Sequence, residues 1–264
     1  MMKKLISVIL IWLCVPTLFA ADNDATMQVQ ELAFVQGKQY LLIDPKVVNK
    51  AMQDPTVQKL LADASKDAKG NKVNRVAVWL FFNYGCPVCN KFEPMISKWY
   101  NEKKDEKLMV FTDIPVAWTH PGWQDYARAF YIEQTLGLLD KGHHAMFQAV
   151  HGNGADIEPQ DLTSKEKMRD FFHKELGVAP ANFDSHYDTF EIRMLMKQGE
   201  MIGQAYNIRA IPSFVIAGKY YADIQTAGGM EQLIDVVNFL VNKETFTQDQ
   251  GKIDFNAVTN GTTK

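Results

Sequence analysis

An unbroken apolar run from Val78 to Phe82 predicts a buried strand, and past Gly85 the spacing changes. Cys89, Phe92, Ile96, Trp99 and Tyr100 recur at helical intervals, which predicts a helix to about Asn101, kinked or interrupted near Pro94. Upstream, Phe34-Val35-Gln36-Gly37-Lys38-Gln39-Tyr40 reads as a turn leading into a short strand. Residues 45–70 place Val47, Val48, Met52, Val57, Leu60, Leu61 and Ala64 at helical spacing. Asp54-Pro55 divides them into two short helices, because Asp caps a helix and Pro suits its first turn. Leu108 to Phe111 is the next strand, continued by Ile114-Pro115-Val116. From Gln124 to Tyr206 the pattern is mostly helical. Thr163-Ser164-Lys165-Glu166 starts one helix that Gly177 stops, and a last long helix is expected from about Phe183 to Tyr206. Ile211 to Tyr221 reads as strand, Gly-Lys turn, strand, and Met230 to Leu240 as a final amphipathic helix. Residues 243–264 are polar and expected to form a flexible tail.

Strands and helices in this order make an α/β sheet interrupted by a helical insertion. At 264 residues and 47% hydrophobic, the chain is large enough to bury the core such a sheet needs. The formal net charge of -3 gives no reason to expect a nucleic-acid partner. The first residues read as a secretory signal: Lys3 and Lys4, then an apolar stretch from Leu5 to Val15, then a cleavage site after Ala20. An uncleaved anchor is the alternative, but the apolar stretch is short for a span of about 20 residues. Cys14 lies inside this segment without the small residues of a lipid-attachment box.

Beyond that segment only Cys86 and Cys89 remain, so the exported chain is not a disulfide-stapled scaffold. The pair stands where the buried strand hands over to the first turn of a helix. Unpaired N–H groups there carry partial positive charge and favour a thiolate. The expected arrangement is a reversible dithiol–disulfide, Cys86 attacking and Cys89 resolving. Pro87 sets the helix start and leaves that field open to Cys86. A C-x-x-C beside such an α/β pattern points to a thioredoxin-like redox fold.

Four stretches resemble the DsbA family of bacterial periplasmic thiol–disulfide oxidoreductases. They are Gly37 to Tyr40, Phe81 to Glu93 around the cysteines, Ile211 to Tyr220, and the helical stretch 124–206 where that family inserts a helical domain. The resemblance implies a thioredoxin-like fold in five parts. Residues 1–20 are the signal peptide and 21–122 the first thioredoxin-like part, including an extra helical segment at about 45–70. Residues 123–206 are the inserted helical domain, 207–242 the second thioredoxin-like part and 243–264 the tail. It also implies a cis Pro212, with Ile211 and Pro212 presenting backbone groups to an extended substrate beside Cys86. No cofactor is expected beyond the redox-active disulfide. Implied partners are reduced or misoxidised exported proteins in the periplasm and a membrane, quinone-linked partner resembling DsbB that reoxidises the pair.

Three departures from the family pattern qualify this reading. Val88 stands where the family usually has His, so Cys86 is expected to be less acidic and the disulfide less oxidising. Leu80 stands where the family's active-site strand carries a buried acid, so proton transfer near Cys89 needs another group or water. The helical segment at 45–70 either packs on its own domain or supports a homodimer or another partner. Two other readings follow from these departures: a disulfide isomerase or reductase, kept in the dithiol form by a reductant, or a non-enzymatic binding module built on residues 45–70. His143, His144 and His151 beside the cysteines suggest zinc only weakly, because a zinc ribbon needs a second C-x-x-C. They are read as surface or helix-capping residues. Glu93 is expected either near the helix start or as an exposed helical carboxylate. Asn90 after Cys89 excludes the haem-attachment pattern, and Asn260-Gly261-Thr262 is a weak glycosylation sequon.

Overall fold

Val76 to Phe82 forms strand β2, and alternation along it sorts its side chains into two cores. Val76, Val78, Leu80 and Phe82 face one side, and Ala77, Trp79 and Phe81 face the other. All seven are buried, so helices must cover both faces of the sheet. The computed structural model describes residues 34–250 apart from positions 119 and 121 and the side chains of 248–250. The expected signal segment, its cleavage site, Cys14 and the Asn260 sequon lie outside the described residues.

The sheet has five strands, in the order β1 (Leu41–Leu42), β5 (Tyr220–Asp223), β4 (Ser213–Ile216), β2 and β3 (Met109–Pro115). Strand β3 runs parallel to β2 and pairs Leu80 with Asp113, whereas β4 runs antiparallel on the other side. β5 follows β4 through a hairpin, and β1 closes the edge against β5. Over the first face lie α3 (Pro87–Lys103), α4 (Trp123–Thr135), α5 (Leu139–His151) and α10 (Met230–Gln250). Over the second lie α1 (Pro45–Ala51) and α2 (Pro55–Ala64), with α8 (Phe190–Ala205). Between α5 and α8 come α6 (Lys165–Leu176) and α7 (Pro180–Tyr187), and a short α9 (Ile224–Ala227) follows β5. The chain is thus a thioredoxin-like fold with a helical domain, α4 to α8, inserted between β3 and β4.

Local chemistry explains where the helices start. Asp44 and Asp54 accept hydrogen bonds from Lys46 N and Thr56 N, each at 2.7 Å, with Pro45 and Pro55 at the first helical positions. The segment between the first two strands therefore forms the two expected helices. Ala51, Val57 and Ala64 are buried against Trp79, Phe81 and Tyr206, so its apolar face is occupied by its own domain. Ser164 caps α6, and Gly177 ends it at a φ of 74°, where a side chain would be strained.

Three expectations need correction. The long helix from Phe183 to Tyr206 is two helices, because Thr189 turns to cap Ile192 N and starts α8 anew. The helix bearing the cysteines runs without interruption through Pro94 to Lys103. The polar stretch from 243 does not begin as a tail: α10 continues to Gln250. It is held there by buried Glu244, which accepts from Tyr220 Oη at 2.9 Å and pairs with Lys219 Nζ at 2.8 Å. Two glycines that weaken α8 as a helix have a packing reason. A Cβ at Gly199 would collide with Tyr131 Oη, and one at Gly203 with the Trp118 ring.

Candidate active site

The loop between β2 and α3 is braced by Asn83, which has no exposed surface. Its Nδ2 donates to Val116 O at 2.7 Å and Trp123 O at 3.1 Å, and its Oδ1 accepts from Gly85 N at 2.8 Å. Gly85 is required sterically, because a Cβ there would run into the Trp123 indole. The loop so fixed delivers Cys86 as the N-cap of α3, with Pro87 at the first helical position.

Cys86 Sγ takes the part that Ser or Asp plays at an ordinary N-cap and accepts from Cys89 N at 3.2 Å. Its other neighbour is the Ile211 carbonyl, 3.9 Å away, which the thiol reaches as a donor. Both cysteines are free thiols and both are buried, leaving Val88 (42% exposed) as the apolar side chain that α3 presents to solvent here. The two thiols differ in acidity. Cys86 is lowered to about 7, chiefly by the Cys89 thiol donating to it and then by the Cys89 and Val88 N–H groups, against the opposing effect of burial. Burial, reinforced by the Cys86 sulfur, pushes the Cys89 thiol up. The arrangement supplies one sulfur that ionises near neutrality and a deeper one that stays protonated.

The Ile211–Pro212 peptide bond is cis, as the family resemblance implies. Pro212 is buried, and Ile211 is partly exposed beside the cysteine pair. Glu93 is neither at the helix start nor exposed. It is 4% accessible, accepts from Ser97 Oγ at 2.9 Å and lies 3.0 Å from His144 Nδ1. His144 is exposed, as a surface histidine would be, but all three histidines hold specific partners. His143 contacts the Tyr84 hydroxyl, His151 donates to the Tyr84 carbonyl, and His144 holds Glu93. Among the described residues no group of His, Cys, Asp and Glu has the geometry to hold a metal ion.

A carboxyl stands one strand over from Leu80. Asp113 pairs with Leu80 in the β2–β3 register, so both side chains lie on the same face of the sheet. Desolvation pushes its carboxyl up to about 7. It lines a groove of about 860 Å³ behind α3, together with Glu93, Tyr100, Phe130, His143 and His144. Sequence reasoning missed Asn83, Tyr84, Asp113, Trp123 and Glu133. Each acts through a partner distant in the chain, and the local signal was polarity inside an apolar run, which Trp123 lacks.

A dithiol of unequal acidity at a helix start, in this fold, defines a thioredoxin-fold thiol–disulfide oxidoreductase. Comparison with known proteins agrees. A family model described as thioredoxin matches residues 63–236. The chain is 30% identical over 194 residues to the thiol:disulfide interchange protein DsbA of Pseudomonas aeruginosa, covering 72% of this chain and 86% of that protein. It is 31% identical over 170 residues to the protein of the same name from Pseudomonas syringae pv. tomato, covering 64% and 75%. The crystal structure of Pseudomonas aeruginosa DsbA superposes with a TM-score of 0.63 at 26% identity, covering 82% of this chain and 97% of that one. That of DsbA from Xylella fastidiosa, at 22% identity, shares the fold with a TM-score of 0.61. The chain belongs to the DsbA family and is a thiol:disulfide interchange oxidoreductase.

Proposed function

We propose that this oxidoreductase introduces disulfides into exported proteins in the periplasm, using Cys86 and Cys89 as its redox pair. The observation that carries the reading is the difference between the two sulfurs: Cys86 lowered to about 7, Cys89 pushed up by burial. In the oxidised form a substrate thiolate attacks Cys86 Sγ and the Cys89 sulfur leaves. A second substrate thiolate then attacks the substrate sulfur of the mixed disulfide, and Cys86 leaves as a thiolate. Two electrons pass from the substrate dithiol to the enzyme. The easier Cys86 is to release as a thiolate, the more oxidising the pair becomes. Pro87 keeps the helix start free for that thiolate, and Val88 leaves it without a neighbouring imidazolium. Ile211 and Pro212 form the rim along which an extended substrate lies, supported by the 3.9 Å approach of the Ile211 carbonyl to Cys86. Asp113 stands in for the family's acid as the group available to exchange a proton behind α3. A membrane, quinone-linked partner reoxidises the dithiol. The signal segment expected at Lys3 to Ala20 and the kinship with DsbA support a periplasmic setting for this chemistry.

A second reading, disulfide isomerase or reductase, draws support from Val88 and from a Cys86 that titrates only near neutrality. The reduction potential decides between them. Equilibration of Cys86–Cys89 with glutathione buffers is expected to give a potential well above the glutathione couple. A value near or below that couple would sink the oxidase reading. Val88→His tests the cause: an imidazolium beside the sulfur is expected to lower the Cys86 midpoint by about one unit or more. It should also raise the potential by up to about 30 mV for each tenfold gain in thiolate stability. An unchanged potential in a variant with a lowered midpoint would contradict the argument.

A further inference from the structure

Two residues before Cys86, Tyr84 is held by three side chains that all come from the helical insertion. Its hydroxyl donates to Glu133 Oε2 on α4 at 2.7 Å, and His143 Nδ1 on α5 lies 3.0 Å from the same hydroxyl. Its backbone carbonyl accepts from His151 Nε2 at 2.7 Å. Its ring is packed edge-on against Phe82 and Phe147. Glu133 has no exposed surface, and its Oε1 has no hydrogen-bond partner among the described residues. Room for the carboxyl is made by Gly142, where a Cβ would come within 2.8 Å of Glu133 Cδ. The exchange reaction itself uses none of these groups.

A hydroxyl has a single proton, and here it goes to Glu133. His143 is therefore the donor to the Tyr84 oxygen, which a neutral ring manages through its Nδ1–H tautomer. An ionised Glu133 would bury a charge against one hydroxyl donor and leave an oxygen unpaired, an expensive state. The protonated acid avoids that cost.

We propose that Glu133 is a positioning residue for Cys86: the Glu133–Tyr84–His143 chain clamps the catalytic loop to the helical insertion. Tyr84 is connected to Cys86 by Gly85 alone, and the bond from Cys89 N–H to Cys86 Sγ depends on where this loop sits. The electrostatics agree with a neutral chain. Burial raises Glu133 well above its usual range, although the Tyr84 bond opposes it. Burial and then Glu133 raise Tyr84, to which Asp113 on β3 and Glu93 on α3 add. Burial lowers His143 to about 4, with Glu93 opposing and His144 assisting.

The test is the pH dependence of Cys86 alkylation by iodoacetamide in the reduced full chain, for wild type, Glu133→Gln, Glu133→Ala and Tyr84→Phe. Glu133→Ala and Tyr84→Phe are expected to raise the midpoint by about 0.5–1 unit, which is roughly 3–10-fold slower alkylation below the midpoint. Glu133→Gln has the shape of the neutral acid and still accepts from Tyr84, so it is expected to keep the wild-type midpoint. A folded Glu133→Ala chain with the wild-type midpoint would overturn the proposal, as would Glu133→Gln shifted as far as Glu133→Ala. If Glu133→Ala does not fold by circular dichroism, Tyr84→Phe decides in the same way, because its ring still fills the core. The inference rests on thiol exchange at Cys86 only for its consequence, since alkylation reads the thiol directly. A chain that shows these shifts but fails to exchange with glutathione disulfide would refute the proposed function and leave the clamp standing.

Discussion

Cys86→Ser is expected to abolish thiol–disulfide exchange, lowering turnover with glutathione disulfide or a reduced protein substrate by roughly a thousandfold or more. A serine hydroxyl supplies no thiolate near neutrality and forms no disulfide, so both attack and release are lost together. Cys89→Ser should differ in kind. Cys86 still reacts, but the mixed disulfide has no internal thiol to resolve it and accumulates as a covalent adduct visible by mass. The wild-type rate of attack by Cys86 is expected to rise about tenfold per pH unit below its midpoint of about 7 and then level off. The sign for stability follows from the same shift. Above the ordinary thiol range Cys89, pushed up by burial, takes stability away, whereas Cys86, more acidic folded than unfolded, gains it there. That gain is lost as pH falls through about 7. Exchange persisting in Cys86→Ser would remove the enzymatic reading and return attention to α1 and α2 as a binding module.

Trp79→Ala should cost about 3–5 kcal/mol of folding stability, read as the shift in a urea unfolding midpoint at unchanged slope. Trp79 is 1% exposed and lies edge-on to Tyr206 with ring centroids 5.5 Å apart. It faces the second core, where β2 meets α1, α2 and α8. Its removal opens a large cavity between the sheet and the extra helical segment, and fixed elements on every side prevent the cavity from collapsing. The reduced variant should keep its Cys86 midpoint, because Trp79 lies on the opposite face of β2 from Leu80 and Phe82. A loss below about 1 kcal/mol would mean that α1 and α2 do not cover the sheet as described.

Elements whose signal is local were legible in the residues. Asp54-Pro55 gave away two helices because capping and proline geometry act within one turn. The apolar run ending at Gly85-Cys86 gave away the strand, the helix and the redox pair because their order in the chain is their order in space. Where a signal depended on a distant partner, reading along the chain failed. Thr189 looked like an interior helix residue, yet its hydroxyl starts α8. Polar residues after 243 looked like a tail, yet Glu244 is buried by Tyr220 and Lys219 from the β4–β5 hairpin. Glu93 looked like a surface carboxylate until α5 brought His144 against it.

The order of elements, the dithiol at a helix start and the apolar faces follow from the chain alone, because periodicity, proline and capping are short-range properties. Tertiary structure alone decided which carboxylates and histidines meet the strand and loop that carry that dithiol. Leu80 carries no acid, but the β2–β3 register sets Asp113 beside it. Tyr84 carries no chemistry of its own, but folding brings Glu133, His143 and His151 from two helices of the insertion to clamp it. Burial then sets the protonation of these groups. It depends on everything packed around a side chain, and no stretch of sequence contains that by itself.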